Sequence, residues 1–166
     1  MRQDCCAHYR RRAWVETTVL AGIAAGTVAT VAQLALWWLT AVPVLETLLR
    51  DARLTAAIAM GRGVLSATPP WRWDVWLVAT LIHFALSIAY AVPVSLLTGR
   101  LRASVELVAG AGYGAVIYGV NLYGFTALFP WFSASRGTLT LLTHLVFGSV
   151  LVAVCRWRAR GSGTAA

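Results

Sequence analysis

Lysine is absent from this chain, and charge of any kind is scarce: Asp and Glu together number 6, and charged residues make up 12% of 166. A water-soluble domain carries about a quarter charged residues, so water is excluded as the main solvent. All 14 basic residues are arginine, and the formal net charge is +8. No aromatic-plus-basic fingerprint of a nucleic-acid fold accompanies them, which argues against nucleic acid as a partner. Arginine at the ends of apolar segments instead orients a membrane protein and touches headgroups. Cysteine is limited to Cys5, Cys6 and Cys155, an odd set near the termini that makes no disulfide framework in a reducing cytoplasm. Cys5, Cys6 and His8 lack a fourth metal ligand, so free thiols in a loose tail are expected. There is no phosphate loop, no nucleophile–base motif and no carboxylate pair, so enzymatic action has the least support.

What the chain has in abundance is apolar length, with 59% hydrophobic residues and a mean hydropathy of +0.71. Crossing the hydrocarbon core takes about 20 residues of helix. Four runs qualify, at about 17–39, 75–97, 105–129 and 138–155. They predict an all-α integral membrane protein, a bundle of four transmembrane helices, with an N-terminal tail at 1–16 and a C-terminal tail at 156–166. The first run carries no charge and exceeds a signal-peptide core, and no small-residue cleavage site follows it.

Arginine placement sets the orientation. With both termini inside, Arg2, Arg10, Arg11, Arg12, Arg100, Arg102, Arg156, Arg158 and Arg160 are cytoplasmic, while Arg50, Arg53, Arg62, Arg72 and Arg136 lie outside. The positive-inside rule favours that choice, and Trp37, Trp38, Trp71, Trp73, Trp76 and Trp131 then gather at the outer interface. Between the first two runs, residues 44–61 read as an amphipathic interfacial helix opened by Pro43 and closed by Gly61. Its apolar stripe is Leu45, Leu48, Leu49, Ala52, Ala56, Ala59 and Met60, with Glu46, Arg50, Arg53 and Ala57 on another side. Ser66–Pro70 is a stiff extended linker.

The first and third runs share a spacing. Gly22, Gly26 and Gln33 recur as Gly110, Gly114 and Asn121, and the run that follows each carries one histidine, His83 or His144. Two copies of a helical hairpin, a tandem repeat parallel in the membrane, account for this. Glycines four apart allow close backbone approach between helices. Gly112 and Gly119 occupy the opposite side of the third helix and suit a second packing face or a second protomer. Gln33, His83, Asn121 and His144 each fall seven or eight residues inside the outer end of a run, roughly 10–12 Å deep. Polar groups at that depth should face the bundle interior. Ser87 and Tyr90 continue the polar stripe of His83, and Tyr90 and Tyr118 are expected deeper in the site. The hydrocarbon stretches hold no Asp, Glu or Arg, which argues against ion-coupled transport through a carboxylate.

The string LIHFALSIAYAV, with His83, Ser87 and Tyr90, resembles the second span of the YagU-like (DUF1440-type) bacterial inner-membrane proteins. So do GIAAG at Gly22–Gly26, the Gly110–Gly114 segment and LLTHLVFG around His144, and the likeness covers Ala21–Val154. The chain also resembles short bacterial proteins labelled sodium:proline symporters. The first resemblance implies a bacterial inner-membrane protein whose activity is not established. Family members carry a histidine near the position of Asn121; its absence here leaves two buried histidines, short of a three-histidine metal site.

The residues therefore predict a multi-pass protein that binds or transports a small ligand or ion at a polar intramembrane layer of Gln33, His83, Ser87, Tyr90, Asn121 and His144, opening toward the periplasm. Two alternatives stay open. One is a haem-binding electron-transfer subunit, with haem or a metal on His83 and His144. The other is a non-catalytic accessory subunit of a homo-oligomer or larger membrane complex, assembled through Gly112 and Gly119. The lipid bilayer is a partner in every case.

Overall fold

A computed structural model describes the backbone of residues 2–66, 71–97 and 105–163, and the side chains of the same residues except 2–10 and 161–163. The side chains of Cys5, Cys6 and His8, most of the Ser66–Pro70 linker, the loop with Arg100 and Arg102, and the end of the C-terminal tail lie outside that description. Among the described residues all regular structure is helical: α1 (Arg2–Leu39), α2 (Val44–Met60), α3 (Trp73–Leu97), α4 (Glu106–Gly119) and α5 (Thr138–Gly163), joined by short turns. Three stretches are long and apolar enough to cross a membrane, Arg11–Leu39, Trp73–Leu97 and Thr138–Arg160.

Three expectations are corrected. The segment expected as a loose N-terminal tail belongs to α1, which starts at Arg2. Neither glycine nor proline interrupts it before Gly22, and Arg12 pairs with Glu16 one turn on at 3.3 Å. The third apolar run is not one regular α-helix. α4 covers 14 residues, then loosens into a π-turn at Val120–Gly124 and a 3-10 turn at Phe125–Ala127. Glycines at 112, 114, 119 and 124 weaken this run as a helix, and Pro130 forbids its continuation. On α2, the buried residues are Ala52, Leu54, Ala56 and Ala57, whereas Leu45 is 61% exposed. The apolar stripe is rotated from its expected place because α2 is covered from two directions. Ala52, Ala56 and Ala57 pack with Val75 and Ala79 of α3, while Trp131, from the turn after α4, donates its indole N–H to the Leu54 carbonyl at 2.9 Å.

α5 is the centre of the bundle, packed most extensively on α4 and next on α1, while α3 packs mainly on α1 and more lightly on α5. Leu151 and Cys155 of α5 are its largest fully buried side chains, set among Ala21, Ala25 and Ala29 of α1. The helices thus pair as two hairpins, α1 with α3 and α4 with α5.

Both hairpins are built in one register. In the first, Thr18 donates to Ser95 at 3.0 Å, a Cβ on Gly22 would lie 2.6 Å from the Ile88 Cα, a Cβ on Gly26 would lie 2.8 Å from the Ser87 Oγ, and Thr30 meets His83. In the second, Glu106 pairs with Arg156. A Cβ on Gly110 would lie 2.7 Å from the Ser149 Cα, Gly114 is pressed against His144 and Gly148, and the Tyr118 ring meets His144. One fixed offset along α1 and another along α3 carry each contact of the first set onto its counterpart in the second. The glycines make this possible, since any side chain at Gly22 or Gly110 would collide with the facing backbone.

Candidate functional site

The hairpins meet unequally. α1 lies flat on α5, where Ala25 and Leu151 are both fully buried. At the corresponding positions of α4 and α3 stand Tyr113 and Tyr90, and these two helices share almost no close backbone approach. Both rings pack against the core shared by α1, α3, α4 and α5, and polar contacts join α3 to α4. The Tyr113 hydroxyl donates to the Tyr90 carbonyl at 2.8 Å, and the Tyr90 hydroxyl donates to Asn121 Oδ1. All three residues are half-buried.

Backbone irregularity frames the same boundary. Pro93 lies one turn beyond Ala89 within α3 and leaves the Ala89 carbonyl without its helical donor. Asn121 sits in the π-turn, a feature that recurs at functional sites. Freed carbonyls in an apolar setting need other donors. One is visible: Arg136 donates to the Leu122 carbonyl at 2.8 Å and to Thr126 at 3.0 Å, while its guanidinium lies over the Tyr123 ring at 4.3 Å.

The other sequence-derived site residues are dispersed. His83 turns Nε2 toward the Gly26 carbonyl and Thr30, each at 3.4 Å, inside the first hairpin. His144 donates from Nδ1 to the Thr140 carbonyl at 2.7 Å, so a neutral ring keeps Nε2 as its acceptor, and it lies against Tyr118 in the second hairpin. Ser87 is buried, with its hydroxyl donating to the His83 carbonyl at 2.8 Å. Gln33 is half-buried and joins none of these hydrogen bonds. Tyr118 does not reach deeper; its hydroxyl accepts from the Gly137 N–H at 3.2 Å, at the α2 end of the bundle. Of the expected set, only Tyr90 and Asn121 meet across the boundary between the hairpins. Each histidine is engaged within its own hairpin, and no three His, Cys, Asp or Glu side chains gather at metal-binding distance among the described residues. Around Gly112 and Gly119 there is open space.

Tyr113 was not anticipated from the sequence. A signal was present, for it is the one large residue in the run Ala109–Ala115, otherwise all glycine and alanine.

A cap closes the α2 end of the bundle. Besides the Trp131–Leu54 bond, Arg62 lies over the Trp131 ring at 5.6 Å, and Ser135 donates to Asp51 at 3.5 Å. Burial pushes the Asp51 carboxyl above its ordinary pKa, and Arg50, paired with it at 2.9 Å, partly offsets that rise. The gap between α3 and α4 can offer hydrogen-bond donors and acceptors but no charge: 75–97 and 107–127 contain no Asp, Glu, Lys or Arg. No family model, curated protein or solved structure matches this chain.

Proposed function

We propose that the chain is a four-span bacterial inner-membrane protein made of two tandem hairpins, with both termini cytoplasmic, that binds a small uncharged ligand between α3 and α4. Helical turns continue from Glu106 to Ala127, a path of about 30 Å at 1.5 Å per residue, enough for the fourth crossing. The shared contact register supports the duplication, and the arginine asymmetry supports the orientation. The resemblance to YagU-like proteins agrees with residence in the inner membrane.

The observation that carries the binding role is the Tyr113–Tyr90–Asn121 chain of hydrogen bonds, made where two helices fail to pack. An interhelical hydrogen bond in a membrane is worth about 0.6 kcal/mol on average. That is a small return for breaking regular backbone on both helices. A ligand that uses the same donors and acceptors explains the arrangement better than cohesion does.

The test is extraction and mass spectrometry of small molecules retained by the purified protein. Wild type should retain one molecule near stoichiometric amount, and Asn121→Leu should lose it while keeping its helical circular dichroism and melting transition. A wild-type protein that retains nothing, or a variant that retains just as much, refutes the reading.

A further inference from the structure

Access to the gap between α3 and α4 differs on its two sides. From the α2 end, the path is covered by α2, held down on α3 and tied to the turn after α4 through Trp131 and Leu54. Arg136 closes the same region by binding Leu122 and Thr126 of the loosened α4 segment. From the side, no such cap is seen among the described residues. Val116 of α4 and Val120 of the π-turn after it lie one and two turns from Tyr113 on its side of the helix and are exposed large apolar residues, as a wall bathed in lipid should be. The counterpart contact between α1 and α5 shows what a sealed boundary looks like in this protein, because there Ala25 and Leu151 are wholly buried.

We infer that a neutral, lipid-soluble amphiphile bearing a hydroxyl or carbonyl head enters sideways from the bilayer between α3 and α4 and docks that head on Tyr90, Tyr113 and Asn121. This rests on the ligand-binding reading above. The chemistry of the gap selects the class. Two phenols, a carboxamide and a backbone carbonyl suit a hydroxyl or carbonyl head, and the nearby Arg136 guanidinium is already engaged by Leu122, Thr126 and the Tyr123 ring. A ligand arriving through lipid brings its own apolar tail, which the exposed Val116 and Val120 side chains would flank.

The experiment uses the full chain in phosphatidylcholine vesicles with a monoacylglycerol carrying a diazirine on its acyl chain. After irradiation, labelled peptides are mapped with and without excess unlabelled monoacylglycerol. Label should concentrate on α3 and α4 over α1 and α5, and the excess should displace it. Tyr113→Phe removes one hydroxyl while keeping the ring, and Asn121→Leu removes the amide. Loss of two membrane hydrogen bonds corresponds to roughly a five- to ten-fold drop in focused labelling for the double variant. A second variant, Tyr90→Leu with Tyr113→Ala, installs the residues of the sealed boundary and should abolish the focus, with its fold checked by melting.

Label spread evenly over all lipid-facing helices, or focus unchanged in both double variants, overturns the inference. If the label is diffuse while purified wild type still retains a water-soluble molecule that Asn121→Leu loses, lateral entry fails and the binding reading stands. Diffuse label together with no retained molecule refutes both.

Discussion

Alanine at Gly22 would place a methyl group 2.6 Å from the Ile88 Cα and 2.8 Å from its nitrogen. Carbon atoms in good contact stand about 3.5–4.0 Å apart, so α1 and α3 must separate by about 1 Å along this stretch. Such a gap forfeits roughly a quarter to a half of each well it opens, and overpacking of this kind typically costs about 1–3 kcal/mol. Lipid tails are as apolar as the helix surfaces, so no hydrophobic gain offsets the loss. Gly112 is the internal control, because its added Cβ meets nothing within 4 Å. Gly112→Ala therefore collects only the helix-propensity gain, up to about 1 kcal/mol as measured in water. The two variants should differ by about 2 kcal/mol or more in unfolding by sodium dodecyl sulfate titrated into mixed micelles, followed by circular dichroism. Gly110→Ala should track Gly22→Ala, since its methyl would fall 2.7 Å from the Ser149 Cα. Equal unfolding midpoints for Gly22→Ala and Gly112→Ala would refute the close approach of α1 and α3.

Two further outcomes are open to measurement. Glu106→Thr alone removes the carboxylate with which both Arg156 and Arg160 pair, and should destabilise the protein. Adding Arg156→Ser recreates the Thr18–Ser95 contact of the first hairpin and should recover part of the loss, a positive coupling of about 0.5–1 kcal/mol in a double-mutant cycle; additive effects would argue against equivalent positions. The second concerns acid. Because burial raises the Asp51 carboxyl in the folded protein, its protonated form is favoured by folding. The stability so contributed is complete below the unfolded value near about 3.9 and is lost as pH rises through the higher folded value. Amide exchange at Ala52–Ala57, corrected for intrinsic rates, should therefore slow on acidification toward that limit, and Asp51→Asn should abolish the trend. Faster corrected exchange over the same interval contradicts it.

Much of the frame was legible because close packing in lipid leaves a mark on composition. Glycines at 22, 26, 110 and 114 announced two close helix contacts, and each contact is made by the expected run. Uninterrupted apolar length likewise located the stretches now seen as α1, α3 and α5. The break in α4 was harder, since hydropathy measures apolar length and not helix regularity; four glycines between 112 and 124 were its only trace. Depth reasoning placed Gln33, His83, Asn121 and His144 at one height facing the bundle interior but could not say which neighbour each would meet. That depends on how the hairpins dock, and docking turns on single residues such as Tyr113 against Ala25. Burial of Leu54 on α2 has the same origin, because it depends on a distant indole at Trp131.

Comparison of the two hairpins separates scaffold from specialisation without any other sequence. Positions that press on facing backbone, 22 with 110, are glycine in both hairpins because nothing larger fits, while Gly26 meets side chains where Gly114 meets backbone. Positions that differ most in chemistry fall in two places. At the α1 N-terminal end of the bundle, a hydroxyl pair in one copy is an ion pair in the other, which suits a boundary where one end of the pair reaches water. At the boundary between hairpins, Ala25 and Leu151 correspond to Tyr113 and Tyr90. That change has no use in packing, since the small-and-branched combination already buries both residues fully. A bundle needing only cohesion would profit from repeating it. Instead the second boundary carries phenols, a carboxamide, a proline within α3 and a π-turn after α4, all within reach of one another. Departure from a solution that the same chain already uses is the physical argument behind the ligand proposed for this boundary.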